Sequence, residues 1–327
     1  MNEQDTIVVT ESLHEVGLAL LAEHGEVVRL TPAMGERRAA LGSASAIITQ
    51  VHPIDRELIA AAGRLRVIGK HGVGVDNIDI AAATEHGVSV VNTPGANARS
   101  VAEHTLAMLL SLARRLPVLD QAVREGDFGI RRDLRLADLH GRTIGVLGAG
   151  HTGRMVLELC CGALGMRGIA YDVTPPDPSG LPAGCEVAGT LEETLSRSDA
   201  ISINLPLTPS TRGAIGEREL SLLRPGAFVI NVGRGGVVDE AALAAAVRTG
   251  VIAGAAVDVF AAEPPDVASP LLNTPGIILS PHAAGLGTGA GEEIARRLAG
   301  DVLRVLRGER PEHAVNPEVY QGGSASR

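Results

Sequence analysis

Short apolar runs alternate with amphipathic stretches from one end of this chain to the other. In the N-terminal part the runs fall at Thr6–Thr10, Val27–Leu30, Ala46–Thr49, Arg66–Lys70 and Ser89–Asn92, and each reads as a buried strand. Helical patterns near 12–23, 55–62 and 78–86 lie between them. A long helical stretch follows, from Asn97 to about Leu116. A second series of runs then appears at Thr143–Gly148, Arg167–Asp172, Ala200–Asn204, Ala227–Asn231, Ile252–Asp258 and Ile277–Ser280. Another long helix is predicted from Thr288 to Leu306. Strands that alternate with helices predict doubly wound parallel sheets. Two such series joined by two long helices predict a discontinuous layout. Residues 1–98 and 286–327 form one domain, and 99–285 form a domain inserted into it. The Gly/Ser-rich tail, Gln321–Arg327, reads as frayed.

Composition narrows the class. At 327 residues the chain is long enough for two domains, each with its own core. Its apolar residues are Ala, Val, Leu and Ile, with no Trp, two Tyr and three Phe, which suits parallel strands covered by Ala-rich helices. The formal charge of −9 argues against nucleic acid or an anionic membrane as a partner, so an anionic substrate must find local positive charge. The three cysteines show no metal-ligand spacing and fit free thiols in a reducing compartment. No metal is expected. The polar N-terminus shows no signal peptide, and the apolar stretch Val101–Ala113 is too short to span a bilayer. A soluble, cytoplasmic protein is expected. His104 and His140 show no metal spacing and read as helix or surface residues.

The candidate chemistry sits at the ends of the second series of runs. Gly148-Ala149-Gly150-His151-Thr152-Gly153 follows one strand and opens a helical pattern, which is the context a dinucleotide fingerprint requires. Gly148 permits the turn, Gly150 lets the backbone approach a pyrophosphate, and Gly153 permits close packing of helix on strand. The helix N-terminus offers free N–H groups and a partial positive charge. Asp172 ends the next strand, where a carboxylate binds both ribose hydroxyls and repels a 2′-phosphate; the following Val173, Thr174 and Pro175 supply no Arg. NAD is therefore expected over NADP. Three further motifs each place one capable side chain just past an apolar run: Arg234 in Asn231–Asp239, Glu263 in Asp258–Pro264, and His282 in Ser280–Gly285. A guanidinium can hold a substrate carboxylate and polarise a carbonyl oxygen. An imidazole can give that oxygen a proton as hydride arrives, and take it back in reverse. A neighbouring carboxylate favours imidazolium and orients the ring.

Taken with Lys70–Asp79, Asn97–Glu103 and Val315-Asn316-Pro317, these motifs resemble the D-isomer-specific 2-hydroxyacid dehydrogenases over nearly the whole chain. The resemblance implies two Rossmann-like doubly wound parallel-sheet domains, with the active site in the cleft between a substrate-binding and an NAD-binding domain. It implies Arg234, Glu263 and His282 as the catalytic set. Backbone N–H groups at Val73 and Gly74 are implied contacts to the substrate carboxylate. Asn97 either touches substrate or only caps the long helix. Further implied cofactor contacts fall at His151, Thr152, Leu205, Pro206, Val232, Gly233, Ala284 and Gly285, with Asp258 at the nicotinamide amide. Arg234 and His282 border both substrate and cofactor. The usual assembly of the family is a dimer through the nucleotide domain. The helix after Asn97, apolar at Val101, Leu106, Leu109, Leu110 and Ala113, is expected to carry that interface.

One departure bears on the substrate. Bacterial phosphoglycerate dehydrogenases carry an Arg-Ser pair after the third strand, where this chain reads Thr49-Gln50-Val51-His52-Pro53. Gln50 is uncharged, although His52, Lys70 or Arg99 could serve an anion. The chain ends shortly after Pro317, and no appended regulatory module is expected. The reading is an NAD-dependent dehydrogenase for a small anionic D-2-hydroxy or 2-oxo acid, possibly phosphoglycerate-like. Alternatives are a phosphite dehydrogenase and an NAD-sensing co-repressor scaffold. Formate dehydrogenases differ by placing Gln where this chain has Glu263.

Overall fold

A computed structural model describes residues 5–30 and 37–321. Of the tail expected to fray, 322–327 lie outside the described residues. The chain divides into two compact units, Met1–Asn97 with Leu286–Arg327, and Ala98–Gly285.

The first unit holds β1 (Thr6–Val9), β2 (Glu26–Arg29), β3 (Ala46–Thr49), β4 (Val67–Lys70) and β5 (Ser89–Val91) in the order β2-β1-β3-β4-β5. Every pairing is parallel. The three inner strands and β5 are apolar on both faces because helices cover both sides. The helix Thr288–Leu306 packs on the helix Glu15–Ala22 and on β4, so the C-terminal part of the chain completes this unit. Asn316 fastens that part: its buried side chain accepts from the Val90 amide at 2.8 Å and donates to the Val88 carbonyl at 2.9 Å.

The second unit holds β6 (Thr143–Leu147), β7 (Arg167–Tyr171), β8 (Glu186–Val187), β9 (Ala200–Ile203), β10 (Phe228–Asn231), β11 (Gly254–Val257) and β12 (Ile277–Leu279). Their order is β12-β11-β10-β9-β6-β7-β8, again all parallel. The chain runs outward one way from β6 to β8 and the other way from β9 to β12. The direction reverses between β6 and β9, and ligands of open α/β sheets bind outside the carboxyl ends of the strands at such a switch point.

The long helix, Ala98–Arg114, turns most of its apolar side chains inward. Val101, Leu109 and Ala113 are buried in the core of its own unit, and Leu106 and Leu110 pack against that core. The helix lies on the helix His151–Leu164 and on β10 and β11, which accounts for its broad apolar face. Several exposed apolar side chains come next in sequence. Leu116, Val118 and Val123 lie on the helix Leu116–Arg124, and Phe128 and Leu136 follow it. Among the described residues no helix is long and apolar enough to cross a membrane.

Candidate active site

The second unit brings its functional side chains to one edge because each follows the carboxyl end of a parallel strand. At the end of β6, Gly148 adopts φ +93°, open to glycine alone at little cost, and a Cβ there would lie 2.8 Å from the Asn204 carbonyl carbon. A Cβ on Gly153 would lie 2.0 Å from the Gly148 carbonyl oxygen, so the helix can sit this close to the turn only with glycine there. Gly150 is different: a Cβ would meet no protein atom within 4 Å. No protein atom crowds this position, so the backbone is open to the close approach of a ligand. Gly150 also caps the helix His151–Leu164 without a side-chain bond, so the first amides are available to an anion. Asp172, past the end of β7, accepts from the Ala149 amide at 2.8 Å and the Val173 amide at 2.7 Å. These bonds hold its carboxylate beside the glycine turn. The donors and the open approach fit a dinucleotide pyrophosphate with a ribose at Asp172.

The catalytic candidates follow β10, β11 and β12. Arg234 is half-buried, and its Nη1 donates to the Gly233 carbonyl at 2.7 Å. Its own carbonyl accepts from Asn231 Nδ2 at 3.2 Å, while Asn231 Oδ1 accepts from the Gly233 amide at 3.2 Å. The buried Asn231 thus shapes the turn that presents the guanidinium. A Cβ on Gly235 would lie 1.8 Å from the Phe260 carbonyl oxygen, so glycine is required where the loop after β10 meets the loop after β11. Glu263 in that second loop uses one oxygen on the Phe260 amide, at 3.0 Å, and the other on His282 Nδ1, at 2.7 Å. A carboxylate accepts only, so Nδ1 carries a proton and Nε2 is the nitrogen left to exchange one. His282 has φ +54°, an unfavourable conformation for a side-chain-bearing residue, of the kind found at functional sites. Its amide donates to the Asp258 carbonyl at 2.8 Å. Glu263 and His282, with Phe260, Pro264, Leu279 and Ser280, line a hollow of about 460 Å³.

The other expected cofactor contacts lie along the same edge. Leu205 and Pro206 follow β9, Val232 and Gly233 follow β10, Asp258 follows β11, and Ala284 and Gly285 come soon after β12. His151 and Pro206 are exposed, Thr152 and Gly285 half-buried, and Leu205, Val232, Asp258 and Ala284 buried. Asn231, Gly235, Phe260 and Ser280 were not singled out in the sequence, although all lie in or beside the quoted motifs. Cysteine chemistry is disfavoured, because burial pushes the Cys160 and Cys161 thiols up to about 12 and leaves them protonated at neutral pH.

Val73, Gly74 and Asn97 belong to the first unit. The turn after β4 is fixed by the Gly72 carbonyl, which accepts from the Thr93 amide at 3.0 Å, and the Val73 carbonyl, which accepts from Asn92 Nδ2 at 2.7 Å. Asn97 immediately precedes the helix Ala98–Arg114. In the stretch after β3, the Glu11 carboxylate already accepts from the amides of Gln50 at 2.8 Å, Val51 at 3.3 Å and His52 at 2.7 Å. Burial pushes the Glu11 pKa up, but the Thr10 hydroxyl and these amides together hold it below the usual carboxylate value. Lys70 Nζ donates to the Gln50 carbonyl and, at 2.7 Å, to Asn77 Oδ1. Arg99 pairs with Glu103 at 2.6 Å.

Fold and site together define a dinucleotide-binding α/β protein with a cation and a carboxylate-held imidazole at the nucleotide edge. The model of the D-isomer specific 2-hydroxyacid dehydrogenase NAD-binding domain matches residues 106–284. A glyoxylate reductase of Korarchaeum cryptofilum is 35% identical over 323 residues, covering 96% of this chain and 97% of the relative. The chain belongs to the D-isomer specific 2-hydroxyacid dehydrogenase family, and its second unit carries that family's NAD-binding domain. A D-3-phosphoglycerate dehydrogenase of Methanocaldococcus jannaschii is 38% identical over 323 residues, covering 96% of this chain. The chain spans 60% of the length of that relative. Among solved structures, the TT0316 protein of Thermus thermophilus superposes with a TM-score of 0.86 at 33% identity, covering 95% of this chain and 99% of that one.

Proposed function

We propose that this chain is an NAD-dependent oxidoreductase that moves hydride between NAD(H) and a small D-2-hydroxy or 2-oxo acid. The observation that carries the reading is the 2.7 Å contact between His282 Nδ1 and Glu263, on the sheet edge that also bears the glycine turn. Bound NADH supplies the hydride. His282 Nε2 gives the carbonyl oxygen a proton and recovers it in the oxidative direction. Glu263 keeps Nδ1 protonated and the ring oriented. Arg234 pairs with the substrate carboxylate and polarises the carbonyl. The amides of Val73 and Gly74 are proposed further donors to that carboxylate, with Asn97 as a substrate contact. Residues 1–98 with 286–327 are proposed as the substrate-binding part.

An unphosphorylated substrate is favoured. Glu11 fills the amides of the stretch after β3, and the buried Lys70 is held by the Gln50 carbonyl and Asn77. A panel of 2-oxo acids followed by NADH absorbance tests the reading. Glyoxylate or hydroxypyruvate should be reduced with a higher kcat/KM than phosphohydroxypyruvate. Oxidation of phosphite, with no 2-oxo acid reduced, would identify the other enzyme; NADH binding with no turnover would identify a scaffold.

Asp172→Ala should move coenzyme preference toward NADP. The variant loses the ribose hydrogen bonds and the repulsion of a 2′-phosphate. Comparing kcat/KM for the two coenzymes checks this, and an unchanged ratio would mean that another residue holds the ribose.

The assembly is proposed as a homodimer in a reducing cytoplasm, the latter supported by three cysteines present as free thiols. Leu116 and Val123, seven residues apart on one helix, are 51% and 56% exposed, and Phe128 just beyond that helix is 65% exposed; exposed apolar side chains of this size support an interface there. Light scattering at micromolar concentration should give twice the chain mass, and Val123→Glu should lower it. A monomeric wild type would remove the claim.

A further inference from the structure

Behind the Glu263–His282 pair, a second line of side chains runs from the long helix to the backbone of the His282 turn. His104 Nε2 lies 3.0 Å from Ser280 Oγ. The Ser280 hydroxyl donates to Asp258 Oδ1. Asp258 is 1% exposed, and its carboxylate also accepts from the amides of Ala283 at 2.8 Å and Ala284 at 2.9 Å. Its carbonyl accepts from the His282 amide at 2.8 Å. One buried residue therefore grips the backbone on both sides of the His282 ring.

Hydrogen bookkeeping fixes the direction of this line. A serine hydroxyl has one proton, and here it goes to Asp258. The contact with His104 then requires a proton on Nε2 of that ring. The order is His104 to Ser280 to Asp258, each donating to the next. A buried carboxylate is stable only when its donors stay aligned. His282 holds its left-handed conformation only while the surrounding bonds enforce it.

We infer that His104 is a positioning residue for the proton transfer at His282, acting through Ser280 and Asp258. The inference rests on the proposed role of His282. Without the Nε2–H donor, Ser280 loses one of the two bonds that fix its hydroxyl, and the carboxylate that clamps Ala283 and Ala284 is held less firmly. The His282 ring then shifts slightly from its place opposite Glu263. Arg234 is presented by a different turn, through Asn231 and Gly233, so substrate binding should be spared.

His104→Leu should lower kcat about 10- to 100-fold, the cost of a slightly misplaced catalytic group, with the KM for the 2-oxo acid nearly unchanged. His104→Gln keeps an N–H donor at similar reach and should recover most of the rate. Ser280→Ala breaks the same line, so the double variant should be no slower than the worse single one. Imidazole ¹⁵N NMR of the wild type without coenzyme should show His104 protonated at Nε2. Near-normal kcat in His104→Leu, a Gln variant no better than Leu, or additive losses in the double variant would each overturn the inference. A His104 ring with bare Nε2 would overturn it without any variant having to fold. If the wild type reduces no 2-oxo acid, the proposed function falls, and the NMR result still decides the direction of the line.

Discussion

Replacing His282 with Ala should lower turnover at saturating substrate by about 10²–10⁴-fold, the usual worth of a positioned acid–base group. The geometry leaves its Nε2 as the nitrogen able to exchange a proton, because Nδ1 is committed to Glu263 at 2.7 Å. Among the described residues beside it, Glu263 is held by the Phe260 amide and Ser280 gives its proton to Asp258, so neither is a ready substitute. NADH binding should persist, because the glycine turn and Asp172 sit at the ends of β6 and β7, away from the strand that carries His282. Stopped-flow or steady-state kinetics beside a fluorescence titration of NADH separate the two effects. A variant that keeps near-normal turnover would show that another group delivers the proton.

The fold was legible because its strands are parallel and covered on both faces. Such strands read as unbroken apolar runs, and each run named from the sequence corresponds to a strand with neither end displaced by more than two residues. β8 was missed: Glu186–Val187 is a two-residue edge strand, too short to show an apolar run. The helix Leu116–Arg124 was not named: the long helix was read as ending at about Leu116. The break is Arg115 in the left-handed region, at φ 50°, followed by Pro117 near the helix start, and only the proline is a sequence signal. Short helices such as Leu191–Arg197 and Glu217–Ser221 lack the length to show a period. At the site, local motifs exposed Arg234, Glu263 and His282, because each lies just past an apolar run. What holds them was not visible in the same way. Gly235 against the Phe260 carbonyl, or Ser280 between His104 and Asp258, depends on segments far apart in the chain meeting at one strand edge. Apolar pattern reports burial of a segment, and it carries no information on which distant donor meets which acceptor.

Replacing Arg234 with Lys should separate substrate binding from coenzyme binding. The guanidinium stands on a turn fixed by Asn231, with Nη1 on the Gly233 carbonyl at 2.7 Å. A planar fork of donors can grip a carboxylate by two parallel bonds while polarising the adjacent carbonyl, and an ammonium cannot reproduce that geometry. Losing one charge-assisted hydrogen bond costs about 1.5–3 kcal/mol, or roughly 10- to 100-fold in kcat/KM. Part of the loss should appear as a raised KM for the 2-oxo acid. The rest should appear in kcat, because carbonyl polarisation strengthens as negative charge develops on the oxygen. The charge is conserved, so long-range attraction of an anionic substrate changes little, and the loss reports geometry. The dissociation constant for NADH should stay near that of the wild type. Weakened NADH binding with an unchanged substrate KM would instead assign Arg234 to the coenzyme.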